Sequence, residues 1–324
     1  MKHFFLILLT TVGITFFSSA QNPNSKWGKP SQAEWSLQAW GEAPDAEAIV
    51  LYRTMDVTYQ ITRQFSSYSN VSTELSVDNT AFLGNNENSN VVATYENKLR
   101  IKILKDSGTR YANIDIIYLC DEEDLKIYDE LERLKVAVYT QNEKGKVSRR
   151  FVKNDSFKEE RVDSHYVVRH ITVPDVKKGD IIEYQYTLTS SRVAFLYDCS
   201  FQEDIPVLYA KCDMDIPAFL QFNMNVPIHP FVKSKVEPSK INAVQSLGDM
   251  QAPKGYPSNH YIIEGHDILP KNLDLQRKSG DVESAKVSAN SGKLLKTVAS
   301  FKGRNANAIA PMPKDKNHIM IGVY

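Results

Sequence analysis

Neither sign of charge dominates this sequence: Lys+Arg and Asp+Glu are both 39 in 324 residues. Without a net field, and without a basic stripe interleaved with aromatics, nothing here suits a nucleic-acid partner. Motifs of common catalytic sites are missing as well: there is no G-x-S-x-G, no P-loop and no dinucleotide fingerprint. Beyond the first twenty residues no segment is apolar enough to span a bilayer. Zinc needs closely spaced His or Cys ligands, and the nearest set, His260 with Glu264 and His266, fits neither a helical pair nor a known ligand pattern, which leaves an ordinary loop. The acidic run Cys120-Asp-Glu-Glu-Asp124 lacks EF-hand spacing and reads as a solvated loop.

What is present first is a leader. Residues 1–20 have a short positive start, an apolar run from Phe4 to Phe17 and a small-residue end at Ser18-Ser19-Ala20. That is the pattern of an export signal cleaved before Gln21. The apolar run is shorter than the roughly 20 residues of a spanning helix, and Asn22-Pro-Asn24 follows at once. The expected location is therefore periplasmic or surface-exposed. In an oxidising compartment Cys120, Cys199 and Cys212 allow one disulfide, with Cys199 and Cys212 nearest in sequence, but three buried small side chains is the preferred reading.

The rest is mostly sheet writing. From Asp180 on, Ile182, Tyr184, Tyr186 and Leu188 fall on one side of an extended chain and Glu183, Gln185 and Thr187 on the other, the alternation of a half-buried strand. Tyr166 to Val173 is also β-branched and apolar, and Pro174-Asp175 with Gly179 supplies turn chemistry, so the two segments read as an antiparallel hairpin. Further strands are expected at Ile49–Thr62, Val91–Leu104 and Tyr111–Leu119, with Lys105-Asp-Ser-Gly108 as a hairpin turn. Another hairpin joins Leu134–Thr140 to Lys146–Val152 around Asn142-Glu-Lys-Gly145. Phe201–Tyr209 and Cys212–Val226, broken by Pro206, Pro217 and Pro227, read as edge-type strands.

Helix is sparse. Ser31-Gln-Ala-Glu34 forms a capping box, followed by a short helix that buries Trp35. Trp27, Trp35 and Trp40 are the only tryptophans; they either dock the opening segment or form a stacking platform for sugars, and docking is preferred. Ser66–Asn90 is a polar loop, and His229–Pro257 an extended one. Asn259–Ile268 adds one possible strand, and the basic stretch Lys293–Lys302 reads as a short surface helix.

Several of these pieces together resemble the secreted domain-of-unknown-function family 3857 of Gram-negative envelope proteins. They are Trp27-Gly-Lys-Pro-Ser31, Ala46-Glu-Ala-Ile-Val-Leu-Tyr52, Leu99-Arg-Ile-Lys-Ile-Leu-Lys105, Ala137-Val-Tyr139 with Gly145-Lys-Val147, Pro174-Asp-Val-Lys-Lys-Gly-Asp-Ile-Ile-Glu-Tyr-Gln-Tyr186, and Phe201-Gln-Glu-Asp-Ile-Pro-Val207. The resemblance runs from about Trp27 to Val226. It implies a β-rich domain that usually precedes a transglutaminase-like domain with a Cys-His-Asp catalytic set. Asn307-Ala-Ile-Ala-Pro-Met-Pro-Lys-Asp315 is similar to the linker into that second domain, whose counterpart is missing before Tyr324, so none of its catalytic residues is carried over.

The expectations are these. Residues 1–20 are a signal peptide, 21–228 an all-β or β-dominated antiparallel sandwich with a short N-terminal helix and long loops, and 229–324 an extended loop region, a possible extra strand and a truncated linker. A cysteine nucleophile needs a base and an orienting group; His165, His170, His229, His260, His266 and His318 are the available imidazoles, and none is marked by sequence as that base. No catalytic, cofactor or metal residue is assigned. The function expected is a non-catalytic secreted interaction or scaffolding module, its partner a protein or glycan. The alternatives are an accessory front portion of a split or truncated transglutaminase-like cysteine peptidase, partnered by that domain on a separate chain, or a carbohydrate-binding module.

Overall fold

The structure, a computed structural model, describes residues 26–63, 89–119, 129–163, 166–193, 195–218, 220–225, 231–241, 244–245, 256–273, 286–294 and 319–321. The leader at 1–20, the acidic run from Cys120, most of the polar loop from Ser66, His165, His229, His318 and the linker Asn307–Asp315 lie outside the described residues.

Among the described residues an α-helix, α1, covers Gln32–Ser36, and 3-10 helices cover Asp106–Ala112 and Asn154–Ser156. Strands dominate what remains: β1 Ala48–Arg63, β2 Ser89–Ile103, β3 Asn113–Leu119, β4 Glu130–Gln141, β5 Val147–Phe151, β6 Phe157–Arg161, β7 Tyr166–Thr172 and β8 Ile181–Ser190. They continue as β9 Cys199–Ser200, β10 Val207–Pro217, β11 Leu220–Asn225, β12 Val232–Ile241, β13 Val244–Gln245, β14 Tyr256–Ile268, β15 Lys286–Leu294 and β16 Ile319–Ile321.

The largest sheet runs β12-β14-β10-β1-β2-β8-β4-β5, with β13 pairing the end of β1. A second runs β16-β3-β7-β6, and a third β11-β15-β9. Val57, Leu99, Ile101, Tyr184 and Leu188 of the first pack with Ile114, Ile116, Val168 and Ile171 of the second in one core. The fold is therefore a β-dominated, sandwich-like one, as the alternation of apolar side chains requires when each sheet has one face to hide. The large sheet is mixed, because β1 and β10 run parallel.

Several local expectations are corrected. β7 and β8 exist, but they do not form a hairpin: β7 pairs with β3 and β6, whereas β8 pairs with β2 and β4. The turn between them carries the chain from one sheet to the other, with Asp175 and Gly179 at φ 55° and 90°. It is tied to the end of β2 instead, where Gly179 N–H donates to the Ile103 carbonyl at 2.8 Å and Ile103 N–H donates to Asp180 O at 3.0 Å. Likewise Lys105–Gly108 is no hairpin turn; it leads into the 3-10 helix that moves the chain from β2 to β3 in the other sheet. The Asn142–Gly145 hairpin forms as expected between β4 and β5.

β10 is no edge strand, since it lies between β1 and β14. The extended loop expected from His229 contains β12; the strand expected at Asn259–Ile268 forms as part of β14, so His260, Glu264 and His266 stand on it and not in a loop. Lys293 and Leu294 close β15 instead of opening a helix; the rest of that stretch lies outside the described residues.

Gly108 shows why the link after β2 bends as it does. A Cβ there would stand 2.1 Å from the Glu47 carbonyl oxygen, which already accepts from Leu104 N–H at 2.8 Å and Lys105 N–H at 3.0 Å. Backbone cannot step aside as a side-chain tip can. Gly108→Ala is expected to cost about 2 kcal/mol in urea unfolding, within the range for overpacking; an unchanged midpoint would contradict this packing.

Candidate functional site

The outer face of the large sheet, turned away from the main core, holds a buried charge cluster. On β2 the even positions Arg100 and Lys102 point to this side, on β8 Glu183 does, and the irregularity in β1 between Val50 and Tyr52 brings Tyr52 there too. Arg100 and Glu183 are both 0% exposed. The alternation of β8 is as read, but its polar side at Glu183 does not meet water, because the segment from Trp27 to Ala43 lies over it.

Arg100 sits between two carboxylates. Its Nη1 donates to Glu34 Oε1 at 2.8 Å and its Nη2 to Glu183 Oε1 at 2.6 Å. Nη2 also donates to the Lys26 carbonyl at 2.9 Å. Glu183 in turn accepts from Tyr52 OH at 2.5 Å and from Gly28 N–H at 2.8 Å. Glu34 is the capping-box residue of α1, accepting from Ser31 N–H at 2.5 Å. One carboxylate thus starts a helix and neutralises a buried guanidinium.

Lys102 finishes the same helix. Its Nζ donates to the Glu34 and Trp35 carbonyls at 2.8 and 2.6 Å, taking two of the orphan acceptors of a helix end. Burial pulls its pKa down to about 8, with the Glu34 charge working in the opposite direction. The opening segment is thereby bolted to the sheet, and its tryptophans follow. Trp35 is buried with Ile49, Leu51 and Ile181, and half-buried Trp27 and Trp40 pack against this second core. Beside it an open cleft of about 350 Å³ is lined by Trp35, Gln38, Lys102, Gln141, Lys178 and Asp180, among others.

The thiols lie elsewhere. Cys199 on β9 and Cys212 on β10 are free and buried in the main core. The hydrogen bond to Cys199 and then burial hold the Cys212 thiol well above its ordinary range. The cavity beside Cys199, lined also by Arg53, Tyr184 and Ser200, is about 20 Å³, the size of one water molecule. Cys120 lies outside the described residues.

Two of the described imidazoles, His170 and His260, are engaged with carboxylates on strand surfaces. His170 Nδ1 is 2.7 Å from Asp115 Oδ1, and its Nε2 is 3.2 Å from Glu160 Oε2. His260 Nε2 is 2.5 Å from Asp213 Oδ1, and His266 faces the Tyr209 ring at 5.0 Å between centroids. Glu264 accepts from Tyr209 OH at 3.0 Å. Among the described residues no group of three or more His, Cys, Asp or Glu converges as a metal site. Sequence reasoning missed Arg100, Lys102 and Glu183, because polar residues alternating along a strand look the same whether water or another segment covers them.

No curated protein matches the chain in sequence. A crystal structure of a protein from Parabacteroides distasonis, described as a candidate protease, is similar at TM-score 0.47 and 12% identity over 76% of this chain. The match covers 40% of that protein's length. A family model matches later in the chain than the resemblance from Trp27 to Val226, at residues 91–246. That stretch, which includes β3 to β8 and the buried Arg100 and Glu183, is similar to the family of domains of unknown function with solved structure, DUF3857.

Proposed function

We propose that this protein is an exported, non-catalytic interaction module. The observation that supports it most is how the reactive side chains are placed. Cys199 and Cys212 are buried, the Cys212 thiol is pushed up, and the cavity at Cys199 holds no more than a water. A thiolate is the nucleophilic form, so this environment works against attack. The buried ion pairs of Arg100 with Glu34 and Glu183 serve to hold the opening segment in place. What the fold offers to solvent is a set of sheet edges and an open cleft. The leader at residues 1–20 supports export to the envelope.

The test is turnover by the purified full chain against casein, a mixture of peptide amides and envelope glycans. No turnover is the expected result; activity abolished by one point substitution would overturn the proposal. Thiol labelling followed residue by residue adds a second measure. Both thiols are buried and the Cys212 thiol is pushed up, so each is expected to react more slowly in the native protein than in urea.

A second reading, a glycan-binding module, is favoured by the cleft beside Trp35, Gln38 and Gln141. Tryptophan emission on titration with envelope glycans tests it, and an unchanged spectrum counts against it.

A further inference from the structure

We propose that the free edge of β5 accepts an acidic, extended peptide as an added strand of the large sheet. This rests on the reading of the protein as an interaction module and names the partner chemistry.

β5 ends the sheet, and among the described residues its only strand partner is β4. The ladder sets which backbone groups face outward. Asn142 N–H donates to the Lys146 carbonyl at 3.0 Å, and Val152 N–H donates to the Val136 carbonyl at 2.9 Å. In an antiparallel pair, residues alternate between bonding toward the partner and bonding away from it. Lys146, Ser148, Arg150 and Val152 therefore bond inward, and the N–H and C=O groups of Val147, Arg149 and Phe151 point to the open side.

The side chains of these three residues share a face, opposite Gln141, Tyr139 and Ala137 in the register. Val147 and Phe151 are 43% and 50% exposed, and the Arg149 guanidinium lies 4.7 Å from the Phe151 ring centroid. An apolar and cationic stripe beside an open ladder is what strand addition uses: main-chain bonds for affinity, alternate side chains for choice.

Charge selects the occupant. From Glu143 to Lys153 the chain carries Lys144, Lys146, Arg149, Arg150 and Lys153 against one carboxylate. A second copy of β5 laid antiparallel and centred on Arg149 would set arginine against arginine, which is unfavourable directly across a ladder. An acidic strand meets the opposite sign. The other end of the sheet is less suited: β12 contains Pro238, which has no N–H to give, and Glu237.

The experiment uses the full chain and two labelled ten-residue peptides, one alternating Glu with Val and one alternating Lys with Val. Binding is read by fluorescence anisotropy, exchange protection by amide NMR, and peptide integrity by mass spectrometry. The expected result is binding of the Glu peptide alone, with new protection at Val147, Arg149 and Phe151. Val147→Pro removes an outward N–H and keeps every charge, and Arg149→Glu with Arg150→Glu reverses the charge; each should raise Kd at least about tenfold without changing the far-UV spectrum. Equal binding of the Lys peptide, binding untouched by Val147→Pro, or no binding of an intact Glu peptide overturns the edge proposal only. Cleavage of the peptide overturns the non-catalytic reading itself.

Discussion

Replacing Glu183 with alanine is expected to lower the unfolding free energy by about 3–5 kcal/mol, the cost of removing one partner from a buried ion pair. Arg100, Lys102, Glu34 and Glu183 balance one another in a space where Arg100 and Glu183 are 0% exposed. Taking Glu183 away leaves one positive charge without its counterpart. It also leaves Tyr52 OH and Gly28 N–H without the acceptor they now have at 2.5 and 2.8 Å. Unmet buried donors cost more than made ones contribute. Glu183→Gln keeps the shape and part of the hydrogen bonding, so its loss should be smaller. Urea unfolding measures the difference, and tryptophan emission locates it. Trp27, Trp35 and Trp40 are the chain's only tryptophans and all sit in the segment this cluster holds, so a red shift in the alanine variant reports release of that segment. A loss below about 1 kcal/mol, the size expected of an exposed pair, would show that the face is open to water.

Alkaline unfolding is expected to be abrupt, beginning above pH 10. Burial raises the phenol pKa of Tyr59, Tyr95, Tyr184, Tyr186 and Tyr197 in the folded protein, while the unfolded chain keeps values near 10. Above that pH the unfolded state loses protons that the folded state retains, so stability falls with rising pH. Each phenol contributes about 1.4 kcal/mol per pH step, and five together reach roughly 7. Lys102 acts the other way. Its folded pKa is about 8 against 10.5 when free. Between these values the unfolded chain binds the extra proton, and stability rises with pH. One lysine yields to several tyrosines once they titrate. Tyrosinate absorbance should therefore appear in one step together with loss of the β-sheet spectrum. Gradual ionisation near pH 10 in a protein that keeps its fold would contradict the burial of these rings.

Much of the sheet was legible because alternation is a local signal. β1, β2, β4, β5 and β8 lie where apolar and polar side chains alternate, and the capping box at Ser31 and Glu34 starts the helix that its own geometry predicts. The turn at Asn142–Gly145 was read correctly as a hairpin, whereas Pro174–Gly179 and Lys105–Gly108 redirect the chain but were wrongly read as hairpins. Pro174 to Gly179 bends the chain in either case; whether it returns β8 alongside β7 or sends it to the other sheet depends on β2, whose end at Ile103 receives the turn's hydrogen bonds.

The amino-acid sequence alone determined that this chain builds sheets with one apolar face each, begins its body with a capped helix and places its three tryptophans together, because those properties follow from neighbours along the chain. Only the tertiary structure decided which strands pair and that the polar side of β8 is covered. A residue's periodicity fixes the side on which it stands, but the dielectric it meets there is set by distant segments. For that reason Arg100, Lys102 and Glu183 look like ordinary surface positions until the segment from Trp27 to Ala43 lies over them and turns them into a buried, neutral lock.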